Sequence, residues 1–304
     1  MRIWVGVFMA MLSALPSEAQ LRVKDFQRLA IPSKDSWSAP RFSPDGRSIF
    51  LTSPDYTGIW RFNLESKALT QITGDRGAGF GFAVASDGQS IAYRRSSWDD
   101  KTRRRIQEIM VVDLRTGASV RLSSGSDLSL PTFARSSVVY SAGTSVVNLA
   151  DARGAGPSVL GIDQTKIAIQ VDGEKKILDP LMDGSYIWPA MSPDKGRLVA
   201  VDMGRGAFIC DLQGNLETLL GRRNAPAWTR DGKWIVYMDD RDDGHTILSS
   251  DIFCVSPDGE ATVQLTDTPD SIELYPDCSP VDDVIVCSTA KGEIFLIRYE
   301  GGNP

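Results

Sequence analysis

APRFSPDGRSIFL, residues 39–51, is the stretch whose reading decides the fold. It holds a short apolar strand, a tight turn and a second apolar strand. Pro44 presets φ near −65°, Asp45 can bond its own backbone, and Gly46 accepts a left-handed conformation that a Cβ would oppose. The pattern recurs as GFAVASDGQSIAY (81–93), WPAMSPDKGRLVAV (188–201), APAWTRDGKWIVY (225–237) and YPDCSPVDDVIVCS (275–288). Several copies are followed by a third strand, IWRFNL, EIMVVDL, GAFICDL or DIFCVSPDG. A fourth then follows, LTQIT, SVRLS, ETLL or TVQLT. Alternating apolar strands with no amphipathic helix predict antiparallel sheets.

A repeated four-stranded sheet cannot bury both of its faces alone. Radial stacking lets each sheet cover the next, which predicts an all-β propeller of four-stranded antiparallel blades. Asp45, Asp87, Asp194 and Asp231 are 42, 107 and 37 residues apart, so units are hidden in the long gap. SVVYSA (137–142) and KIAIQV (166–171) both read there as second strands followed by hairpin partners. Two degenerate units give seven blades; six remain if one hairpin is an insertion. The last copy ends at EIFLIRYE (293–300) without a fourth strand. VKDFQRLAIP (23–32) is expected to supply it and close the ring.

Residues 1–19 read as a signal peptide and 20–304 as a single propeller domain. Arg2 is followed by an apolar run from Ile3 to Leu15, too short for a span of about 20 residues. Pro16 and Ser17-Glu18-Ala19 then supply a helix break and small residues for cleavage. The expected product is soluble, monomeric, and periplasmic or secreted. The four cysteines, Cys210, Cys254, Cys278 and Cys287, read as buried thiols, with a Cys278–Cys287 bridge as the alternative.

The formal charge of −6 offers no electrostatic footprint for nucleic acid. A single histidine, His245, excludes sites that need two imidazoles from one chain. G-x-S-x-G, C-x-x-C and H-E-x-x-H are all missing, so no catalytic residue and no resident metal is assigned.

In a propeller, the loops before each first strand and between second and third strands share one face, the channel mouth. The sequence places Trp37, Tyr56, Tyr186, Trp188, Asp242, Asp243, His245 and Tyr275 there as candidate ligand-binding residues. Aromatic planes beside carboxylates suit a peptide or a sugar ring. Arg103-Arg104-Arg105 forms a basic patch on the same face. The acidic run 239–243 is read as a solvated hairpin loop, with a Ca²⁺ site as the alternative.

The SPDG turn, followed by a strand ending in Asp-Leu, resembles the repeat of TolB-like (WD-like) β-propellers over about residues 38–300. YIWPAMSPDKGR (186–197), MDDRDDGH (238–245) and SSDI (249–252) further resemble an exported TolB-like group of Bacteroidetes-type bacteria. The resemblance implies a periplasmic or secreted propeller that acts by binding, and it implies no catalytic residues to carry over. The expected function is non-enzymatic binding of an envelope protein, peptide or glycan at the mouth. The alternative is a carbohydrate-active lyase or hydrolase working through two carboxylates, with or without a cation.

Overall fold

A computed structural model of the chain describes residues 21–33, 35–148, 151, 153–154 and 156–302; the signal-peptide reading lies outside them. Seven antiparallel sheets form the seven blades of a propeller, with no α-helix among the described residues. Strand β1 (Arg22–Arg28) precedes the first blade. Blade 1 holds β2 (Ser38–Phe42), β3 (Ser48–Thr52), β4 (Ile59–Asn63) and β5 (Leu69–Thr73). Blade 2 holds β6 (Ala83–Val84), β7 (Ser90–Asp99), β8 (Arg104–Asp113) and β9 (Ser119–Gly125). Blade 3 is β10 (Thr132–Ala134), β11 (Ser137–Ala142) and β12 (Ser145–Val147); blade 4 is β13 (Ser158–Asp163), β14 (Lys166–Val171) and β15 (Glu174–Leu178). Blade 5 runs through β16 (Tyr186–Met191), β17 (Arg197–Asp202), β18 (Gly206–Asp211) and β19 (Leu216–Gly221). Blade 6 runs through β20 (Asn224–Trp228), β21 (Ile235–Asp242), β22 (Ile247–Val255) and β23 (Thr262–Gln264). Blade 7 is β24 (Glu273–Cys278), β25 (Val284–Thr289), β26 (Ile294–Glu300) and, as its outer strand, β1. The expected ring closure is therefore present, with Phe26 opposite Ile297 and Arg28 opposite Phe295.

Period-2 alternation builds the core. Ile49, Leu51 and Phe62 of blade 1 face Val284, Val286 and Leu296 of blade 7. Their neighbours Phe50 and Ile59 face Phe82, Ile91 and Tyr93 of blade 2. Both sides of each blade are thus apolar, and every interface between blades is a separate buried cluster. The cluster between blades 3 and 4 is the smallest, with Ala134, Val139, Leu160 and Ala168 as its buried members.

Blades 3 and 4 depart from the four-stranded expectation, each having three strands. SVVYSA is a second strand, as expected. KIAIQV is not. The turn after β13 lies on the mouth face, where Thr165 accepts the Tyr186 N–H at 2.9 Å. The turn after β14 lies on the far face, where Asp172 binds the N–H of Gly154 beside Arg135 of blade 3. KIAIQV therefore runs as a third strand. Among the described residues blade 3 has no fourth strand and blade 4 no first, and β13 sits next to the axis between β10 and β16.

The four cysteines are free. Cys278 lies opposite Ile285 and Cys287 opposite Phe295, so the two are not cross-strand partners in the hairpin. Burial pushes the Cys210 and Cys254 thiols up to about 12.

Candidate functional site at the channel mouth

The first strands of four blades share a device that the sequence shows as a residue before proline. Ala39-Pro40, Trp188-Pro189, Ala225-Pro226 and Tyr275-Pro276 occupy equivalent positions near the mouth. The residue before each proline is left-handed, with φ of 44°, 51°, 46° and 53° respectively. At each site the ladder slips, between Ser38 and Arg41, Ile187 and Ala190, Asn224 and Ala227, and Leu274 and Asp277. Proline has no N–H to give to a ladder, so it fits a bulge. Blade 2 solves the same problem with Gly81 at φ 71°. Glycine and alanine meet the geometry with least crowding, yet blades 5 and 7 place a tryptophan and a tyrosine there. Bulky side chains in this region are rare, and such strain concentrates at functional sites.

Tyr275 of blade 7 lies near Tyr56 of the adjacent blade 1, and burial first, then the electrostatic effect of Tyr56, pushes its hydroxyl up to about 12. Tyr56, itself at φ 60°, packs edge-on against Phe80 at 5.2 Å. Deeper in the channel, burial raises the Asp277 carboxyl, although it accepts the Phe42 N–H at 2.8 Å and faces Arg41.

Two hairpins extend the mouth as arms. The β7–β8 arm carries exposed Trp98 and the Arg103-Arg104-Arg105 patch, beside a cleft of about 460 Å³ lined by Asp99, Arg104, Arg105 and Ser124. The β21–β22 arm carries the acidic run. Asp242 pairs with Arg222 at 3.1 Å, and buried Asp240 accepts from Asn224 at 2.7 Å. Asp243 accepts the N–H groups of Thr246 and His245, which hold its carboxyl below the ordinary 3.8. A cleft of about 240 Å³ beside this arm is lined by Leu248, Asp251, Asp267 and Asp270. Among the described residues, no three His, Cys, Asp or Glu side chains are grouped closely enough to hold a metal ion.

The loop between blades 4 and 5 is clamped from below. Asp179 accepts from the Tyr186 hydroxyl at 2.6 Å, from the N–H groups of Asp183 and Gly184, and pairs with Lys166 at 2.7 Å. Burial works to raise this carboxyl, but Lys166, Tyr186 and the two N–H groups outweigh it and hold it well below 3.8. Arg205 binds Asp202 and the carbonyls of Leu181 and Met182. Met182 and Asp183 are both left-handed, at φ 51° and 61°. Met182 is 80% exposed and neighbouring Met203 71%, the largest values among exposed apolar side chains.

The expected site residues fall into distinct settings. Trp37 is buried, edge-on to Trp60 at 5.0 Å, and Tyr186 is buried against Phe208. Tyr56 and Tyr275 lie near one another on adjacent blades. Asp242, Asp243 and exposed His245 share one arm. Trp188, 38% exposed, stands on blade 5, separated from Tyr275 by blade 6. Sequence reasoning missed Arg41, Met182 and Met203. The signal was a large apolar residue inside a polar turn, Met182 in DPLMDG and Met203 in VDMGRG.

No family model matches the chain, and no curated protein does. Solved structures do. Oligogalacturonate lyase from Vibrio parahaemolyticus superposes with a TM-score of 0.52 at 14% identity, over 88% of this chain and 79% of that one. TolB from Acinetobacter baumannii gives 0.50 at 18%, over 89% of this chain but only 56% of TolB. The Cps50 (Swd1) propeller domain of Myceliophteria thermophila gives 0.62 at 10%, over 91% and 99%. What the chain has in common with all three is the β-propeller fold.

Proposed function

We propose that the chain is an exported, non-enzymatic propeller that binds an envelope protein, peptide or glycan through its channel mouth. The observation that carries the reading is where large apolar side chains meet solvent. Among the described residues, Phe80, Trp98, Ile162, Met182, Trp188, Met203 and Leu248 are exposed on the mouth face, against Val281 alone on the far face. The remaining exposed ones lie on outer strands. Clustered apolar exposure marks a contact surface, whereas isolated examples are ordinary. Two strained aromatic positions in the first strands point to the same place.

The propeller fold is common to TolB, the Swd1 domain and an oligogalacturonate lyase, so the reading rests on the mouth and not on the fold. Export and a periplasmic or secreted location rest on residues 1–20, and kinship with the Bacteroidetes-type TolB-like group on the segments 186–197, 238–245 and 249–252. The test combines a glycan array with affinity capture from envelope extract, using Trp188→Ala and Tyr275→Ala variants and Leu219→Ser on an outer strand as control. Binding lost with the first two and kept with the third supports the reading. Binding indifferent to both mouth substitutions ends it.

A further inference from the structure

We infer that Met182 and Met203 of blade 5 form the anchor of the mouth and that their ligand is a protein segment carrying an apolar side chain flanked by lysine or arginine. The inference deepens the mouth-binding reading and rests on it. Neither methionine is left out by default. Met182 stands in a left-handed conformation that its own side chain disfavours. The Asp179 carboxylate, the Arg205 guanidinium and buried Leu181 fix the backbone on either side of it. Met203 is fixed likewise, its N–H bonding the Ser185 carbonyl at 2.9 Å and its sulfur contacted by the Ser185 hydroxyl at 3.7 Å. A backbone made this rigid under two solvent-exposed thioethers is preorganised for contact. Methionine suits the task because its unbranched, polarizable chain adapts to a varied apolar partner.

Charge selects the flanks of the partner. The neighbouring arm on blade 6 presents Asp239 and Asp243, and the loop of Met182 itself presents Asp183; these exposed carboxylates form no ion pair among the described residues and outnumber Arg241, the exposed cation on that arm. Trp188, on the same blade as the methionines, adds an aromatic face for a cationic side chain. A sugar would find neither donor nor acceptor on the methionines beyond a weak sulfur. An anionic membrane or a second copy of this face would meet repulsion from the carboxylates.

The inference is tested on the intact protein by fluorescence anisotropy with a labelled ten-residue peptide of alternating leucine and lysine. Counterparts with serine for leucine, and glutamate for lysine, complete the set. Saturable binding of the first is expected, with each counterpart weaker by about tenfold or more. Met182→Asp and Met203→Asp are expected to weaken it by about tenfold each, and the Asp239→Lys/Asp243→Lys double variant to weaken it and flatten its salt dependence. Leu219→Asp, on outer strand β19, leaves it unchanged. Absence of saturable binding by the leucine–lysine peptide overturns the inference, as does equal binding of all three peptides. If Tyr275→Ala weakens the peptide while the methionine variants do not, the mouth still binds but blade 5 is not its anchor. A glycan-array hit lost in Trp188→Ala, without any peptide binding, would likewise keep the mouth reading and discard this one.

Discussion

The two faces of the propeller are built on different rules. The far face is made of short turns that satisfy themselves. Ser43 donates to Asp45 at 2.6 Å, Ser192 to Asp194 at 2.5 Å and Thr229 to Asp231 at 2.7 Å, each hydroxyl also accepting the N–H that opens the next strand. At the ends of third strands, Asn63, Asp113 and Asp211 bond backbone N–H groups two to four residues on. The mouth face has loops of unequal length, two projecting arms, the left-handed aromatic residues Tyr56, Trp188 and Tyr275, and apolar side chains in water. One face holds the strands in register, and the other carries features that the fold does not require.

Substitutions can break or sharpen this contrast. The largest loss is expected from the core that both faces share. Phe208→Ala, at a fully buried position between blades 4 and 5, should lower stability by about 3–5 kcal/mol in urea titration. Ser192→Ala on the far face should cost about 1 kcal/mol, because it strands the half-buried Arg197 N–H and frees Asp194. A smaller loss there than at any mouth residue would erase the distinction between the faces. Trp188→Gly should do the reverse, leaving stability unchanged or raising it by up to about 1 kcal/mol while removing binding. A loss above that size would show that Trp188 is packed for the fold.

Acid should act on the clamp of the mouth. The Asp179 carboxyl lies below its ordinary 3.8, and Arg95 and Arg121 hold Glu108 below 4.5. Depressed carboxylates contribute stability that is complete above their ordinary values and fades as pH falls through the folded ones. Urea midpoints should therefore hold from pH 7 to about 5 and drop towards pH 3, and Asp179→Asn should shrink the drop. The smallest signal is expected from the cysteines, whose raised values predict no measurable reaction with a thiol reagent at pH 8 before unfolding.

The fold was legible because its rules are local. Asp45, Asp194 and Asp231 each sit two residues after the hydroxyl they bind, so a window of six residues carries the whole turn. Ring closure was legible too, since a missing last strand and a spare first one are both visible. The mouth was only partly so. Trp188 and Tyr275 could be placed by counting strands, but the approach of Tyr56 to Tyr275 brings together residues more than two hundred positions apart. Trp37 and Tyr186 show the ambiguity of a lead aromatic, which turns inward when a neighbouring Trp60 or Phe208 offers a ring to pack against. KIAIQV misled because an apolar alternating run reads the same in either direction across the sheet.

The two absent strands have a consequence for how such a ring can change. Every strand carries the chain from one face to the other, so dropping a single one would deliver the next module upside down, its turns where its arms belong. Among the described residues blades 3 and 4 together are two strands short, and blade 5 emerges the right way up. Shortening or lengthening this wheel should be tolerated at their junction in even steps, and an odd step should scramble all that follows.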